Sequence, residues 1–297
     1  MTDERHEFVS FLTDYGHADE FVGVCHSIML RLAPHLQIVD ITHEVPAHDV
    51  RAGALTLARA VPYLPRGILV AVVDPGVGGD RRAIAVETAA AVLIGPDNGL
   101  LAPAVAMLGG AERAVSLTNP DYQLEAPGPT FAGRDVFAPA AGYLASGTPF
   151  EALGEMVDPV SLTPSLLPVA DTDGDEVRAE VWWVDTFGNA QVNVGPEVLT
   201  ARGIAPGDTF ELTVGDRRGM VRWVHTYADA KPSELVVVVD SSGLLSLVLD
   251  RRSAAAEHSL RVGTEVRIAP PPPGSSLGGI AAPISTPVSF TNPGGGA

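Results

Sequence analysis

The apolar segment I-L-V-A-V-V-D, residues 68–74, constrains the fold most, because six consecutive apolar residues precede a carboxylate. A strand that is apolar on both faces is typical of the centre of a parallel sheet covered by helices on both sides. Parallel neighbours also need long crossover connections, which are usually helical. The segment therefore predicts an α/β sandwich around a mainly parallel sheet, with Asp74 at the carboxyl end of a central strand.

The patterns on either side of this strand alternate between strand and helix over residues 1–158, which we predict to form the N-terminal α/β domain. Further strands are predicted at 8–14, 37–42, 82–88 and 91–96. Helices are predicted at 21–32, 50–64, 99–108 and 135–146.

The pattern changes after residue 158. Residues 159–176 are rich in Pro, Asp, Thr and Ser, which predicts a linker. Residues 177–268 contain short apolar runs separated by turns and one helical stretch at 253–260, which predicts a smaller, mostly-β, barrel-like domain. Residues 269–297 are rich in Pro and Gly, and we predict a flexible tail there.

Charge and composition exclude several classes of function. The net charge of −17 argues against nucleic-acid binding, which needs a basic patch. The sequence lacks the long apolar run of a membrane span, and its polar N-terminus lacks the apolar segment of a signal peptide. The single cysteine, Cys25, cannot form an internal disulfide, so we expect a cytoplasmic protein.

Residues 74–82, D-P-G-V-G-G-D-R-R, resemble a phosphate-binding loop at first sight. They lack the spacing and the lysine of G-x-x-x-x-G-K-[ST], and a strand-like segment follows in place of the helix that G-x-G-x-x-G requires. We interpret the segment as a strand–loop–strand connection that carries Asp74, Arg81 and Arg82.

Two further acids in the first domain are candidate site residues. Asp14 ends the first predicted strand, and ligands in open α/β sheets bind beyond the carboxyl ends of strands. Asp19, with Glu20 beside it, forms with Asp14 an anionic group suited to hydroxyls or an ammonium. The alternatives are that each strand-end Asp only begins a turn and that the 19–20 pair only favours a helix N-terminus.

The second domain contains one informative segment, V-D-T-F-G-N at 184–189. Phe187 offers an aromatic face and Asn189 an amide, which together suit an adenine-like heterocycle. Asp185 ends a strand, and Ser241 lies in a second polar turn, D-S-S-G at 240–243. Asn is also common in turns, so a purely structural role stays open.

Other chemistries have no matching pattern. The histidines show no H-x-x-x-H or H-x-H spacing, so no zinc site is indicated, and no G-x-S-x-G motif is present. We expect neither a metal nor another cofactor.

Several segments together carry a resemblance to one family. These are F-L-T-D-Y-G at 11–16, D-I-T-H-E-V-P at 40–46, V-V-D-P-G-V-G at 72–78, I-G-P-D-N-G-L at 94–100, T-F-A-G-R-D at 130–135 and D-T-F-G-N at 185–189. In this order they resemble the S-adenosylmethionine hydrolases, also called S-adenosylmethionine hydroxide adenosyltransferases. The fluorinase and the chlorinase belong to the same superfamily.

The resemblance implies an α/β domain followed by a small β domain, a homotrimer, and active sites between neighbouring subunits. It implies S-adenosylmethionine as substrate, and adenosine and L-methionine as products. It assigns the following residues to substrate binding: Asp14 to the ribose hydroxyls; Phe187 and Asn189 to adenine; Asp19, Asp185 and Ser241 to the methionine; and Gly133 within its matching motif.

The resemblance also implies a catalytic set of Asp, Arg and His that positions and activates water. Asp74 and Arg81 match the first two, but Ala132 stands where the family has histidine. Either a natural departure or a site-directed replacement accounts for Ala132.

The resulting expectation is a hydrolase that attacks C5′ of S-adenosylmethionine with water, impaired to the extent that Ala132 replaces a catalytic group. A halogenase is the first alternative, but Asp74 would repel a halide and thus favours water. A protein that binds S-adenosylmethionine or adenosine without turnover is the second, and a hydrolytic enzyme for another substrate class is the third.

Overall fold

The computed structural model describes residues 6–165 and 167–271, and the chain divides into two compact units, Met1–Leu167 and Pro168–Ala297. The division falls within the segment predicted as a linker, whose bounds at 159 and 176 stay predictions. Most of the predicted tail, from residue 272 onward, lies outside the described residues.

The first unit is built on a seven-stranded sheet in the order β2-β1-β3-β5-β4-β6-β7. The strands are β1 Phe8–Thr13, β2 Gln37–Thr42, β3 Gly67–Val72, β4 Ala83–Glu87, β5 Ala91–Pro96, β6 Arg113–Ser116 and β7 Glu155–Val157. Strands β2, β1, β3 and β5 are parallel, and β4, β6 and β7 extend the sheet with antiparallel pairs. The predicted α/β domain with a mainly parallel sheet is confirmed.

Four α-helices cover this sheet: α1 Phe21–Leu32, α2 Val50–Ala60, α3 Ala102–Met107 and α4 Ala138–Ala145. Helix α1 packs on α4, and α2 packs on α3. No helix in the described part of the chain is both long and apolar enough to cross a membrane.

Three helices begin or end elsewhere than the sequence pattern predicts. Helix α2 ends at Ala60, and a 3₁₀ turn with Pro62 near its start follows, because proline cannot continue the hydrogen-bond ladder. Helix α3 begins at Ala102, with Pro103 in its first turn. Helix α4 is preceded by a π-helical turn, Gly133–Phe137, a feature that often occurs at functional sites.

The register of the parallel strands determines which residues meet at the edge of the sheet. All six residues of β3 are buried, as the continuous apolar run predicts. Thr13 at the end of β1 pairs with Val72 at the end of β3, and Leu12 pairs with Thr42 at the end of β2. The residues that directly follow these three strands therefore emerge side by side.

The second unit is a closed barrel of seven strands, in the order β10-β14-β13-β12-β11-β15-β9, with β10 pairing back to β9. Its strands are β8 Asp171–Asp173, β9 Glu176–Val184, β10 Ala190–Val192, β11 Thr209–Val214, β12 Arg217–Trp223, β13 Val236–Val239, β14 Leu245–Val248 and β15 Glu265–Ala269. Strand β8 is added outside the barrel, on β9. The predicted barrel-like domain is confirmed.

Two short helices complete the second unit: α5 Glu197–Thr200, which the sequence pattern did not predict, and α6 Ala254–His258. Alternate residues of β11 and β15, including Phe210, Leu212 and Ile268, fill the barrel. Period-two burial of this kind is what a small closed barrel requires.

Replacing Leu93 by Ala tests the core of the first unit. Leu93 on β5 is fully buried, so we expect the Leu93→Ala variant to lose about 2–5 kcal/mol of unfolding free energy in a denaturant titration. The control is Met107→Ala, because the Met107 side chain on α3 is exposed. This variant should stay within about 0.5 kcal/mol of the parent. Equal losses in both variants would contradict the described packing.

Candidate active site

Asp14 and Asp74 lie at the same edge of the sheet. Asp14 directly follows β1, and Asp74 is the second residue after the neighbouring strand β3. Both line one cavity of about 560 Å³, together with Tyr15, Phe131 and Ala132. The structure therefore brings together two of the acids that the sequence singled out separately.

Asp74 is held by Arg81 across the loop that joins β3 to β4. Arg81 Nε donates to Asp74 Oδ1 at 2.9 Å and to Oδ2 at 3.0 Å, and Nη2 also donates to Oδ2. The Asp74 side chain is only 5% exposed and that of Arg81 16%. The Arg81 guanidinium lies over the Phe137 ring, 5.5 Å from its centroid. A bidentate ion pair of this kind fixes the orientation of a carboxylate as well as its position.

Arg82 contacts different residues from Arg81. Its Nε donates to Asp97 Oδ2 at 2.8 Å, and its Nη1 and Nη2 donate to the hydroxyl and the carbonyl of Ser161. Successive side chains of an extended segment point in opposite directions, so Arg81 and Arg82 separate into a site contact and a structural contact.

Within the described residues, the carboxylate of Asp14 has a hydrogen-bond partner at one of its two oxygens. Its Oδ2 accepts a hydrogen bond from the backbone N–H of His48 at 2.8 Å, and His48 has the unusual φ of 67°. Oδ1 retains its lone pairs for a ligand in the cavity.

Tyr15, which the sequence reasoning did not single out as a site residue, forms part of the cavity wall. Its ring packs edge-on against Phe21 and Phe131, at centroid distances of 5.7 and 5.6 Å. Burial raises the pKa of the Tyr15 phenol above its ordinary value, so the hydroxyl keeps its proton at neutral pH and can donate it to a hydrogen bond.

Ala132 and Gly133 lie at the start of the π-helical turn. Ala132 lines the cavity of Asp14 and Asp74 and also an adjoining cavity of about 470 Å³ that Arg81 lines. It therefore occupies the wall between the two, where its side chain offers only a methyl group. Gly133 leaves room for the Tyr15 hydroxyl, because a Cβ at this position would lie 2.3 Å from that oxygen.

Of the two neighbouring acids Asp19 and Glu20, one lines the cavity. Glu20 lines the cavity beside Asp14, whereas Asp19 is exposed and is not among the residues of the cavity wall. Glu20 is also the N-cap residue of α1, without a side-chain capping bond. Both interpretations of the acidic pair, ligand contact and helix start, therefore stay open for Glu20.

In the second unit, Asp185 organises the turn that carries Phe187 and Asn189. Asp185 Oδ1 accepts from the backbone N–H groups of Phe187 and Asn189, and Oδ2 accepts from Asn189 Nδ2 at 2.8 Å. Gly188, with φ of 83°, lets the chain reverse. The Phe187 side chain stays 79% exposed, so the turn presents an unburied aromatic ring.

The D-S-S-G turn precedes β14, which pairs antiparallel with β10, so this turn and the 185–189 turn lie at opposite ends of that strand pair. Asp240 Oδ1 accepts from the backbone N–H of Ser242, and Oδ2 accepts from Gln191 Nε2 on β10 at 2.6 Å. Ser241 is exposed at the tip of the turn. The hydrogen bond from Gln191 connects the D-S-S-G turn to the strand that directly follows the 185–189 turn.

The sequence reasoning missed several residues of the cavity wall. Among them are Tyr15, Phe21, Val77, Thr130, Phe131 and Arg134. Most lie within three residues of one that was singled out, so proximity to Asp14, Asp74 or Ala132 was the available signal.

Comparison with known proteins identifies the family. Residues 9–154 match the family model described as the SAM hydroxide adenosyltransferase N-terminal domain, where SAM is S-adenosyl-L-methionine. Residues 179–267 match that of the C-terminal domain of the same family. The chain belongs to the SAM hydroxide adenosyltransferase family.

Individual members of the family match along most of their length. A protein of Salinispora tropica named (R)-S-adenosyl-L-methionine hydrolase is 44% identical, over 88% of this chain and 97% of that protein. A protein of the same name from Thermus thermophilus is 40% identical, over 88% of this chain and 98% of that protein. The crystal structure of an uncharacterized conserved protein from Thermotoga maritima superposes with a TM-score of 0.82 at 31% identity, covering 88% of this chain and 99% of that one.

Fluorinases are more distant relatives. The fluorinase of Nocardia brasiliensis is 27% identical, over 90% of this chain and 98% of that protein. The fluorinase of Nocardia brasiliensis is thus less similar to this chain than the hydrolases of Salinispora tropica and Thermus thermophilus are.

Replacing Gly133 by Ala tests the close approach of Tyr15. The added methyl overlaps the Tyr15 hydroxyl, so we expect Gly133→Ala to lose about 1–3 kcal/mol of unfolding free energy. Adding Tyr15→Phe removes the overlapping oxygen and should recover part of that loss in a double-mutant cycle. Simply additive losses would mean that the two groups do not touch.

Proposed function

We propose that this protein hydrolyses S-adenosyl-L-methionine to adenosine and L-methionine. The observation that carries the proposal is the Asp74 carboxylate at the cavity wall, whose two oxygens both accept hydrogen bonds from Arg81. The names of the relatives at 40–44% identity support the same reaction.

The proposed reaction is an in-line displacement at C5′ of the substrate. Water attacks C5′, the new C5′–O bond forms, and the C5′–S bond breaks with its electron pair going to sulfur. The sulfonium departs as a neutral thioether, so the leaving group needs no acid. The proton lost by water passes to Asp74 and then to solvent.

Activation of water is therefore the difficult step. General-base help from a positioned side chain contributes about 10²–10⁴-fold to a rate, and holding the nucleophile in line contributes further. Arg81 keeps the Asp74 carboxylate in one orientation and thereby defines where the water is held.

We assign the substrate contacts by chemical fit. The free Oδ1 of Asp14 suits a ribose hydroxyl. The exposed Phe187 ring and the remaining Oδ1 of Asn189 suit the face and the amino group of adenine. For the methionine we propose Asp19, the remaining lone pair of Asp185 Oδ2 and the Ser241 hydroxyl, and Gly133 supports the site by leaving room for the Tyr15 hydroxyl at the cavity wall.

A halogenase is disfavoured because a fixed carboxylate repels an incoming halide in a partly buried site. A binding protein without turnover is the second candidate. The observation that favours it is Ala132, whose methyl group cannot help to activate water.

The Asp74→Asn variant tests the proposed base. Incubation with S-adenosylmethionine in chloride buffer, followed by liquid chromatography, should show adenosine from the parent and a rate about 10²–10⁴-fold lower from the variant. The control is Asp80→Asn, because Asp80 is an exposed acid in the same loop. Halogenated nucleoside would identify a halogenase instead, and binding without any product would identify the binding protein.

The Ala132→His variant tests whether the wall between the two cavities is a catalytic position. A histidine here would stand close to the Asp74–Arg81 pair, and we expect kcat to rise by about 10²-fold. An Ala132→Phe variant controls for the added volume. Unchanged turnover in Ala132→His would show that the position takes no part in the chemistry.

We further propose that the protein is a cytoplasmic homotrimer with active sites formed between subunits. Light scattering after size-exclusion chromatography should then give three times the 30.9 kDa of one chain. A monomeric mass combined with full activity would contradict the shared site.

A further inference from the structure

We propose that His26, Asp40 and His43 form a binding site for a divalent transition-metal ion. The three residues belong to the first unit and lie outside the wall of the candidate active site. The chemical class we infer is a borderline ion such as Zn²⁺ or Co²⁺.

Two of the three pairs of ligand atoms have the spacing that such an ion needs, and the third atom pair lies close to it. His26 Nε2 lies 2.9 Å from Asp40 Oδ1, and His43 Nε2 lies 3.1 Å from the same oxygen. All three ligand atoms lie within 4.8 Å of one another. Ligands held at about 2.0–2.1 Å from a zinc ion are roughly 2.9 Å apart at a right angle and roughly 3.4 Å apart at the tetrahedral angle.

The decisive atom is Nε2 of His43. The His43 side chain is completely buried, yet among the described residues its Nε2 has no partner with good hydrogen-bond geometry, although Asp40 Oδ1 is 3.1 Å away. Buried polar atoms are nearly always satisfied, so an ion placed between the three ligand atoms would supply the missing partner.

The other nitrogen of His43 is already oriented. Nδ1 lies 2.8 Å from Thr13 Oγ1, which also accepts a hydrogen bond from the backbone N–H of Tyr15. When Nδ1 donates to this oxygen, Nε2 carries the lone pair that a metal requires. An oriented outer contact of this kind is typical of metal-binding histidines.

The solvent exposure of the site and the types of its ligand atoms both fit an ion that exchanges with solvent. The His26 and Asp40 side chains are 25% and 39% exposed, so solvent reaches the outer side of the site. Two imidazoles and one carboxylate suit zinc and its neighbours better than magnesium or calcium, which prefer oxygen ligands. Three protein ligands also leave a coordination position for water.

The histidine spacing along the chain did not indicate this site because its ligands come from separate elements. His26 lies on α1, Asp40 on β2 and His43 in the loop after β2. The backbone carbonyl of His43 also accepts from Gly16 N–H at 2.7 Å. A bound ion would thus tie α1 to the loop that carries Asp14.

The test is equilibrium dialysis of the full, untagged chain with Zn²⁺ and Co²⁺ after chelator treatment. We expect one ion per chain, a visible Co²⁺ absorption band and a rise in the unfolding temperature with added ion. In His26→Asn and Asp40→Asn, the affinity should fall by about 10–100-fold or more.

The control is His35→Asn, because His35 is another partly exposed histidine of the same unit whose ring nitrogen only contacts a backbone carbonyl. It should bind as the parent does. Absence of binding by the folded parent would overturn the proposal, as would binding that survives in both His26→Asn and Asp40→Asn. Circular dichroism of each variant checks that it is folded.

Discussion

The parallel pairing of β1 with β3 is the constraint on which the rest of the first unit depends. It aligns Thr13 with Val72, so Asp14 and Asp74 emerge at one edge of the sheet. The pairing of β1 with β2 brings His43 to the same edge. A register shift of one residue would turn these side chains to opposite faces of the sheet. Helices on both faces make such a shift costly, because β3 is buried throughout.

The candidate site carboxylates differ in how many hydrogen bonds they accept from neighbouring protein groups. Asp74 is engaged by one arginine, Asp185 by its own turn, and Asp14 by a single backbone N–H. A carboxylate with an unused lone pair can bind a ligand, and Asp185, which also stabilises its own turn, offers only one such lone pair, on Oδ2. The number of unused lone pairs therefore distinguishes these acids better than residue type does.

Much of the fold could be predicted because local periodicity and burial agree. The continuous apolar run of β3 and the alternating runs of the barrel predicted both architectures. Helix boundaries were less well predicted where proline interrupts the ladder, as at Pro62 and Pro103. The cavity wall was only partly predicted, since Glu20 and not Asp19 lines it, and Tyr15 reaches it by packing between Phe21 and Phe131.

The sequence by itself determined the two architectures, the strand-end position of Asp74 and the alanine within T-F-A-G-R-D, because each depends on residues close together in the chain. Only the tertiary structure decided that Arg81 faces Asp74 while Arg82 faces Ser161, and that Ala132 separates two cavities. It alone brought His26, Asp40 and His43 within reach of one ion. The physical reason is that side-chain direction and long-range proximity follow from strand register and helix packing, which no local pattern records.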